Sequence, residues 1–309
     1  MTKAKIFSNK TTSILLCLLA CLLWGSLFPV IKVGYSSFKI PTSDIPSIIL
    51  FAGLRFFISG IILTSLTGIS QRKLVAPQKS NIKYVLLGGL FTIVLHYSLT
   101  YVALSMGEGS KSAIIKQIGF LFLSCFAFIF DKHDKWSARK MIAGIIGFCG
   151  IIATNSGESG FSFGLVDIIL IAASFCSIYG SVIAKRASSA ITSACFVAYS
   201  QLFGGIFLCL VGIILGGKIT YIDIKAILVF AYICIASISA YLIWNILLEY
   251  NSLSKMAIIK FAEPLFAVLL SGLMLSENIF KISYLIALIL ILGAILIENV
   301  KLKTRHEQK

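Results

Sequence analysis

The sequence predicts an all-α integral membrane protein, with ten transmembrane helices arranged as two inverted five-helix repeats. Three observations carry this. First, 58% of the 309 residues are hydrophobic, 13% are charged, and the mean hydropathy is +0.98, well outside soluble composition. Second, the apolar residues fall into ten runs of the length a helix needs to cross a bilayer, at 1.5 Å per residue. Third, Ala113–Ile114–Ile115–Lys116 returns 144 residues later as Ala257–Ile258–Ile259–Lys260. From Tyr97/Tyr241 to Phe122/Phe266 the register holds without a gap, and ten of 26 pairs are identical. Roughly two or three would match by chance in so apolar a chain, so the match reads as an internal duplication.

The expected spans, in order, are 13–31, 45–69, 84–105, 113–130, 138–154, 164–185, 191–215, 226–248, 256–275 and 282–298. The first follows Lys3, Lys5 and Lys10 and mimics a signal peptide, with Leu18–Leu19–Ala20–Cys21 like a lipoprotein cleavage box. The apolar run continues through Trp24 to Val30, however, long enough to span, so it is read as the first helix. Short connections make neighbouring helices antiparallel. With a cytoplasmic N-terminus, that side collects eighteen Lys and Arg, among them Arg72, Lys79, Lys140, Lys185 and Arg186. The opposite side collects six: Lys32, Lys39, Lys111, Lys218, Lys225 and Lys281. The positive-inside rule then puts both termini in the cytoplasm. Because five is odd, the second repeat (164–309) enters the membrane upside down relative to the first (1–155). Inverted repeats place a substrate near the midplane between the halves.

The net charge of +15 belongs to these loops and forms no basic stripe, so no nucleic-acid partner is expected. Lysine outnumbers arginine, pointing to an AT-rich bacterial genome and to the bacterial cytoplasmic (inner) membrane. All eight cysteines lie in apolar runs without CxxC spacing, which reads as packing rather than disulfide or metal chemistry. There is no HExxH, GxSxG, P-loop or cluster of metal ligands. Neither an enzyme, a cofactor, a metal nor ATP-driven transport by this chain is therefore expected.

Several motifs in order resemble drug/metabolite transporters of the EamA type. These are Ala20–Cys21–Leu22–Leu23–Trp24–Gly25–Ser26–Leu27–Phe28–Pro29 in the first helix and Gly53–Leu54–Arg55–Phe56–Phe57 in the second. Glu263–Pro264–Leu265–Phe266, followed by Leu275–Ser276–Glu277, is similar to the ninth-helix signature. Two departures stand in the fourth helix: Gly119–Phe120 replaces a frequent proline, and Phe130–Asp131–Lys132–His133 replaces the usual Gly–Glu. The resemblance implies ten helices, a cavity lined by helices 1, 3, 4, 6, 8 and 9, and substrates ranging from amino acids and amines to sugars and nucleotide-like metabolites.

Lys116 and Lys260 are the first candidates for substrate binding. A mid-helix lysine costs about 2.5–3.5 kcal/mol on insertion scales, which a carboxylate or phosphate on a substrate offsets. The competing readings are snorkelling to the interface, or pairing of Lys260 with Glu263 one turn on. Glu263 is a candidate for a substrate ammonium or the coupling proton, and His96 for a proton relay. Arg55 reads as a structural charge, and Asp167 as a carboxylate at a positive helix start. Trp24, Tyr97, Tyr101, Tyr179, Tyr241 and Trp244 are expected to line the cavity and stack on a planar or cationic substrate. The combination predicts a secondary transporter of a small polar metabolite, an amino acid or a derivative such as S-adenosylmethionine, coupled to protons or to substrate antiport. It would act as a monomer or homodimer. The alternatives are an exporter of hydrophobic cations and a non-transporting membrane scaffold or lipid-handling subunit.

Overall fold

A computed structural model describes residues 6–72, 76–131, 134–154, 156–157, 160–161, 164–278 and 282–299. Among the described residues ten long helical segments follow one another: α1 (Lys10–Ser37), α2 (Ile45–Gln71), α3 (Lys79–Met106), α4 (Gly109–Phe130) and α5 (Ala138–Thr154) form the first set. The second set is α6 (Leu165–Ala187), α7 (Ser193–Ile214), α8 (Ile224–Tyr250), α9 (Leu253–Leu275) and α10 (Ile282–Asn299). Eight are long and apolar enough to cross a membrane; α5 and α10 are the shorter two. Among the described residues the one strand pairing joins Ser156–Gly157 to Gly160–Phe161 between the two sets.

Helix starts are set by polar side chains that take up the unpaired N–H groups of the first turn. Asn9 accepts from Thr11 and Thr12, Asp44 from Ser47, Thr192 from Cys195 and Asp223 from Ala226. Asp167 accepts from the N–H of Gly164 at 2.8 Å, and Lys111 approaches it to 3.3 Å. Helix α1 runs 28 residues, beyond the expected 13–31. Its last turns are covered by α2, where Phe51 meets Gly34 and stacks edge-on with Tyr35 at 5.8 Å.

The two sets pack as mirror partners. α2 lies on α7 and α5 on α10, each pair its own counterpart; α1 on α8 is matched by α6 on α3, and α1 on α9 by α6 on α4. The α2–α7 seam is made of glycines seven residues apart on each side: Gly53 and Gly60, Gly205 and Gly212. A Cβ on Gly60 would stand 2.6 Å from the Leu202 nitrogen, and one on Gly212 2.7 Å from that of Leu50. Without a hydrophobic force between helices in lipid, such close backbone contact is what holds them.

The two ends of the bundle are distinguishable. At one end Asn251 donates to the Phe7 carbonyl at 3.1 Å and Lys255 to the Ser13 hydroxyl at 3.1 Å. We call this the N-terminal face. At the far face Tyr284 donates to Glu108 at 2.8 Å.

Candidate substrate site

The helices line a narrow central cavity of about 40 Å³. That is room for two or three waters, so the cavity is largely filled by its own side chains. Its wall is Trp24, Leu27, Phe28 and Ile31 from α1 with Thr92, His96, Tyr97, Thr100 and Leu104 from α3. Lys116 and Phe120 come from α4, Ser177, Gly180, Ser181 and Ala184 from α6, Tyr241, Trp244 and Asn245 from α8, and Lys260 and Glu263 from α9. These are the six helices the resemblance implied.

Three of them are irregular where they meet the cavity. α4 breaks between Ile115 and Ile118, and α9 tightens to a 3-10 turn over Lys260–Ala262, so both lysines sit at equivalent interruptions. In α9 the cause is Pro264, whose missing N–H leaves the Lys260 carbonyl without its helical donor. In α4 a serine from α6 takes over: Gly119 donates to the Ser174 hydroxyl at 2.7 Å, and that hydroxyl donates to the Lys116 carbonyl at 2.8 Å. The third is α3, which winds as a π-helix over Gly89–Leu95 just before His96. Its Thr92 carbonyl faces His96 Nδ1 at 3.3 Å and accepts from Tyr241 at 3.2 Å. Broken or π-wound segments inside a membrane bundle gather at binding sites, where the freed backbone groups are of use.

The charges of the two repeats are unequal. Lys260, 4% exposed, forms an ion pair with Glu263 Oε2 at 2.5 Å, and its ammonium stands 3.1 Å from the Trp24 ring centre. Lys116, 7% exposed, has no carboxylate within ion-pair distance among the described residues; its ammonium faces Phe28 at 5.2 Å and Tyr97 at 5.8 Å. The position that mirrors Glu263 is Gly119, where a Cβ would run into Ser174. The cavity wall thus carries two ammonium groups and one carboxylate. Among the described residues, Trp24 Nε1 and His96 Nε2 are buried there with no protein hydrogen-bond partner.

The aromatic candidates divide. Trp24, Tyr241 and Trp244 form an edge-to-face cluster with ring centres 5.3 and 5.7 Å apart, and Tyr97 joins at 6.3 Å from Tyr241. Tyr101 is not in the wall: it lies one turn behind Tyr97, fully buried, with its hydroxyl accepting from Arg55 Nη1 at 2.6 Å. Tyr179 also stands apart from the wall. It is 43% exposed on the outside of the bundle, against Phe91 at 4.6 Å, because its position on α6 points away from the wall residues Ser177, Gly180, Ser181 and Ala184. Arg55 is fully buried, donates from Nε to Ser237 at 2.6 Å, and lies over the Phe56 ring at 4.6 Å.

Sequence reading passed over Phe28, Phe120, Thr92, Asn245 and Ser174. Phe120 could have been found from Lys116, which it follows across the α4 break; Phe28, on α1, meets that lysine only in space. Two carboxylates join the repeats: Glu277, which the sequence offered only as part of the ninth-helix signature, and Asp134, which it did not single out. Glu277, outside the spans, is held below the ordinary glutamate range: burial raises it, but the Ser110 hydroxyl, the Gly109 and Ser110 N–H groups and Lys32 outweigh that.

A bundle of apolar helices around a narrow, charged cavity is the architecture of a multi-pass membrane protein. The chain belongs to the EamA-like transporter family, whose pattern it matches twice, over residues 11–156 and 164–298. It is therefore a transporter of small molecules rather than an enzyme. It is 25% identical over 303 residues to the uncharacterized transporter YvbV of Bacillus subtilis, covering 96% of this chain and 94% of the relative. It is 26% identical to the inner membrane transporter YedA of Escherichia coli K12, covering 89% and 87%. The probable amino-acid metabolite efflux pump of that strain is 26% identical over 293 residues, 90% of this chain and 92% of the pump. One crystal structure at 19% identity superposes with a TM-score of 0.71 over 94% of this chain and 97% of the other, a likeness of fold.

Proposed function

We propose that this transporter moves a small polar metabolite bearing an acidic group, an amino acid or amino-acid derivative, across the bacterial cytoplasmic membrane by alternating access. The moving units are the repeats 1–155 and 164–309, with both termini cytoplasmic. The observation that carries the proposal is Lys116: a buried ammonium, facing the cavity, with no carboxylate within ion-pair distance among the described residues. Its insertion cost of about 2.5–3.5 kcal/mol is offset when a substrate carboxylate or phosphate completes the pair. Glu263, already held by Lys260, receives a substrate ammonium or a coupling proton, and His96 relays it. Trp24, Tyr97, Tyr241 and Trp244 hold the body of the solute, an arrangement that also suits a larger amino-acid derivative such as S-adenosylmethionine. The name of the E. coli efflux pump points to the same class.

One observation favours a second reading. Lys260 on the Trp24 face is itself a cation in an aromatic cage, so a hydrophobic cation displacing it from Glu263 would be exported by the same fold. A melting-temperature screen of the purified protein against amino acids, S-adenosylmethionine, nucleotides, organic acids and cationic dyes separates the two, since binding raises apparent stability by mass action. A shift with acidic or zwitterionic metabolites that vanishes in Lys116→Ala is expected. A shift with cationic dyes alone, unchanged in that variant, would establish the exporter.

A further inference from the structure

Two carboxylates outside the cavity tie α4 to α9 at opposite ends. At the far face, Glu277, two residues past α9, accepts from the N–H groups of Gly109 at 3.0 Å and Ser110 at 3.1 Å, and from the Ser110 hydroxyl at 2.6 Å. Lys32 of α1 stands 3.4 Å from the same carboxylate. At the N-terminal face, Asp134, four residues past α4, accepts from the Ser254 N–H at 3.1 Å and its hydroxyl at 2.5 Å. Lys140 of α5 stands 2.7 Å from it. Ser110 and Ser254 are equivalent positions of the two repeats, 144 residues apart, and their acids are 143 apart. Each helix start is thus held by the chain just beyond the end of its counterpart, with a lysine behind the acid.

We propose that Glu277 and Asp134 are the two latches of the transport cycle, each of which must release before the cavity opens at its own face. The proposal rests on the alternating-access reading above. α4 and α9 run antiparallel along their lengths and both supply cavity wall, so parting their ends at one face opens the cavity there while the other end stays tied. Both latches are closed here, in keeping with a cavity with about 40 Å³ of room for water. Hydrogen bonds from N–H and hydroxyl groups to a carboxylate are strong when desolvated yet readily exchanged for water. That suits a contact broken and remade every cycle better than apolar packing would.

The test uses the full chain in proteoliposomes of known orientation, with the eight cysteines replaced and Ser181→Cys as a reporter in the cavity wall. A membrane-impermeant maleimide is applied to each face in turn. Glu277→Gln is expected to raise labelling from the far face roughly tenfold, the effect of losing charged hydrogen bonds, and to lower it from the N-terminal face. Asp134→Asn is expected to do the reverse. Ser110→Ala and Ser254→Ala, which remove one bond each, follow the same sides with smaller changes and stand in if an acid variant does not fold. Labelling of the parent from both faces, with neither latch shifting the balance or both shifting it the same way, would overturn the latches and leave alternating access standing. Labelling from one face only in every variant would overturn the alternating-access reading itself.

Discussion

Lys116 and Lys260 occupy the same place in two copies of one repeat, each at a break in its helix, yet their surroundings differ. Lys260 is answered by Glu263 and capped by Trp24; Lys116 meets no acid within ion-pair distance among the described residues, and its nearest ring, Phe28, is 5.2 Å away. The difference traces to one pair of positions. In α9 the site three residues on holds an acid followed by Pro264, whereas in α4 it holds Gly119 pressed against Ser174. Duplication supplied two equal cations, and divergence left one inside a structural ion pair and the other open to the cavity. A near-symmetric scaffold thereby holds an asymmetric pair of lysines.

The largest test of this contrast is stability. Lys260→Ala strands a buried carboxylate and is expected to cost about 3–5 kcal/mol, read as a fall in melting temperature, whereas Lys116→Ala strands nothing and should leave the protein at least as stable. If both variants melt alike, the two lysines are equivalent and the asymmetry is unreal. Tyr101→Phe comes next: it removes the acceptor of a buried guanidinium and should cost about 1.5–3 kcal/mol. Gly119→Ala is expected to cost about 1–3 kcal/mol by overpacking against Ser174, with the Ser174→Gly double variant recovering part of it.

The far-face carboxylate gives a pH signature. Since Glu277 is held below the ordinary glutamate range, its contribution is full above the unfolded value of about 4.3 and is lost as pH falls through the lower folded one. Melting curves of the parent and Glu277→Gln should therefore keep a constant gap from pH 7 to pH 5 and close only below that. Tyr179→Phe is the smallest change, within about 0.5 kcal/mol and without effect on ligand shifts. A lost ligand shift would put that ring back at the site.

Much of this was legible in the chain. Ten apolar runs correspond to ten helical segments among the described residues, eight of them long and apolar enough to cross a bilayer, because crossing asks only for length and hydropathy, and the repeated Ala–Ile–Ile–Lys named both lysines. The facing of side chains was not. Helices apolar on every side carry no periodic sign of which face meets lipid and which meets protein, so Tyr179 and Tyr97 look alike in sequence, and Tyr101 looks as available as its neighbour. The break in α4 was hidden because its cause is Ser174, 55 residues on from Gly119. Asp134 escaped because it stands one residue past the place that mirrors Glu277, behind what reads as a departure from the Gly–Glu pattern.

The central claim is that Lys116 reads an acidic group on the substrate, and a double-mutant cycle between protein and ligand tests it most directly. Binding of the amino acid giving the largest melting shift, and of its methyl ester, would be measured by calorimetry on the parent and on Lys116→Ala. The account predicts that the lysine variant weakens the amino acid by roughly tenfold to a hundredfold and leaves the ester nearly unchanged. Equal loss for acid and ester, or none for either, would contradict it.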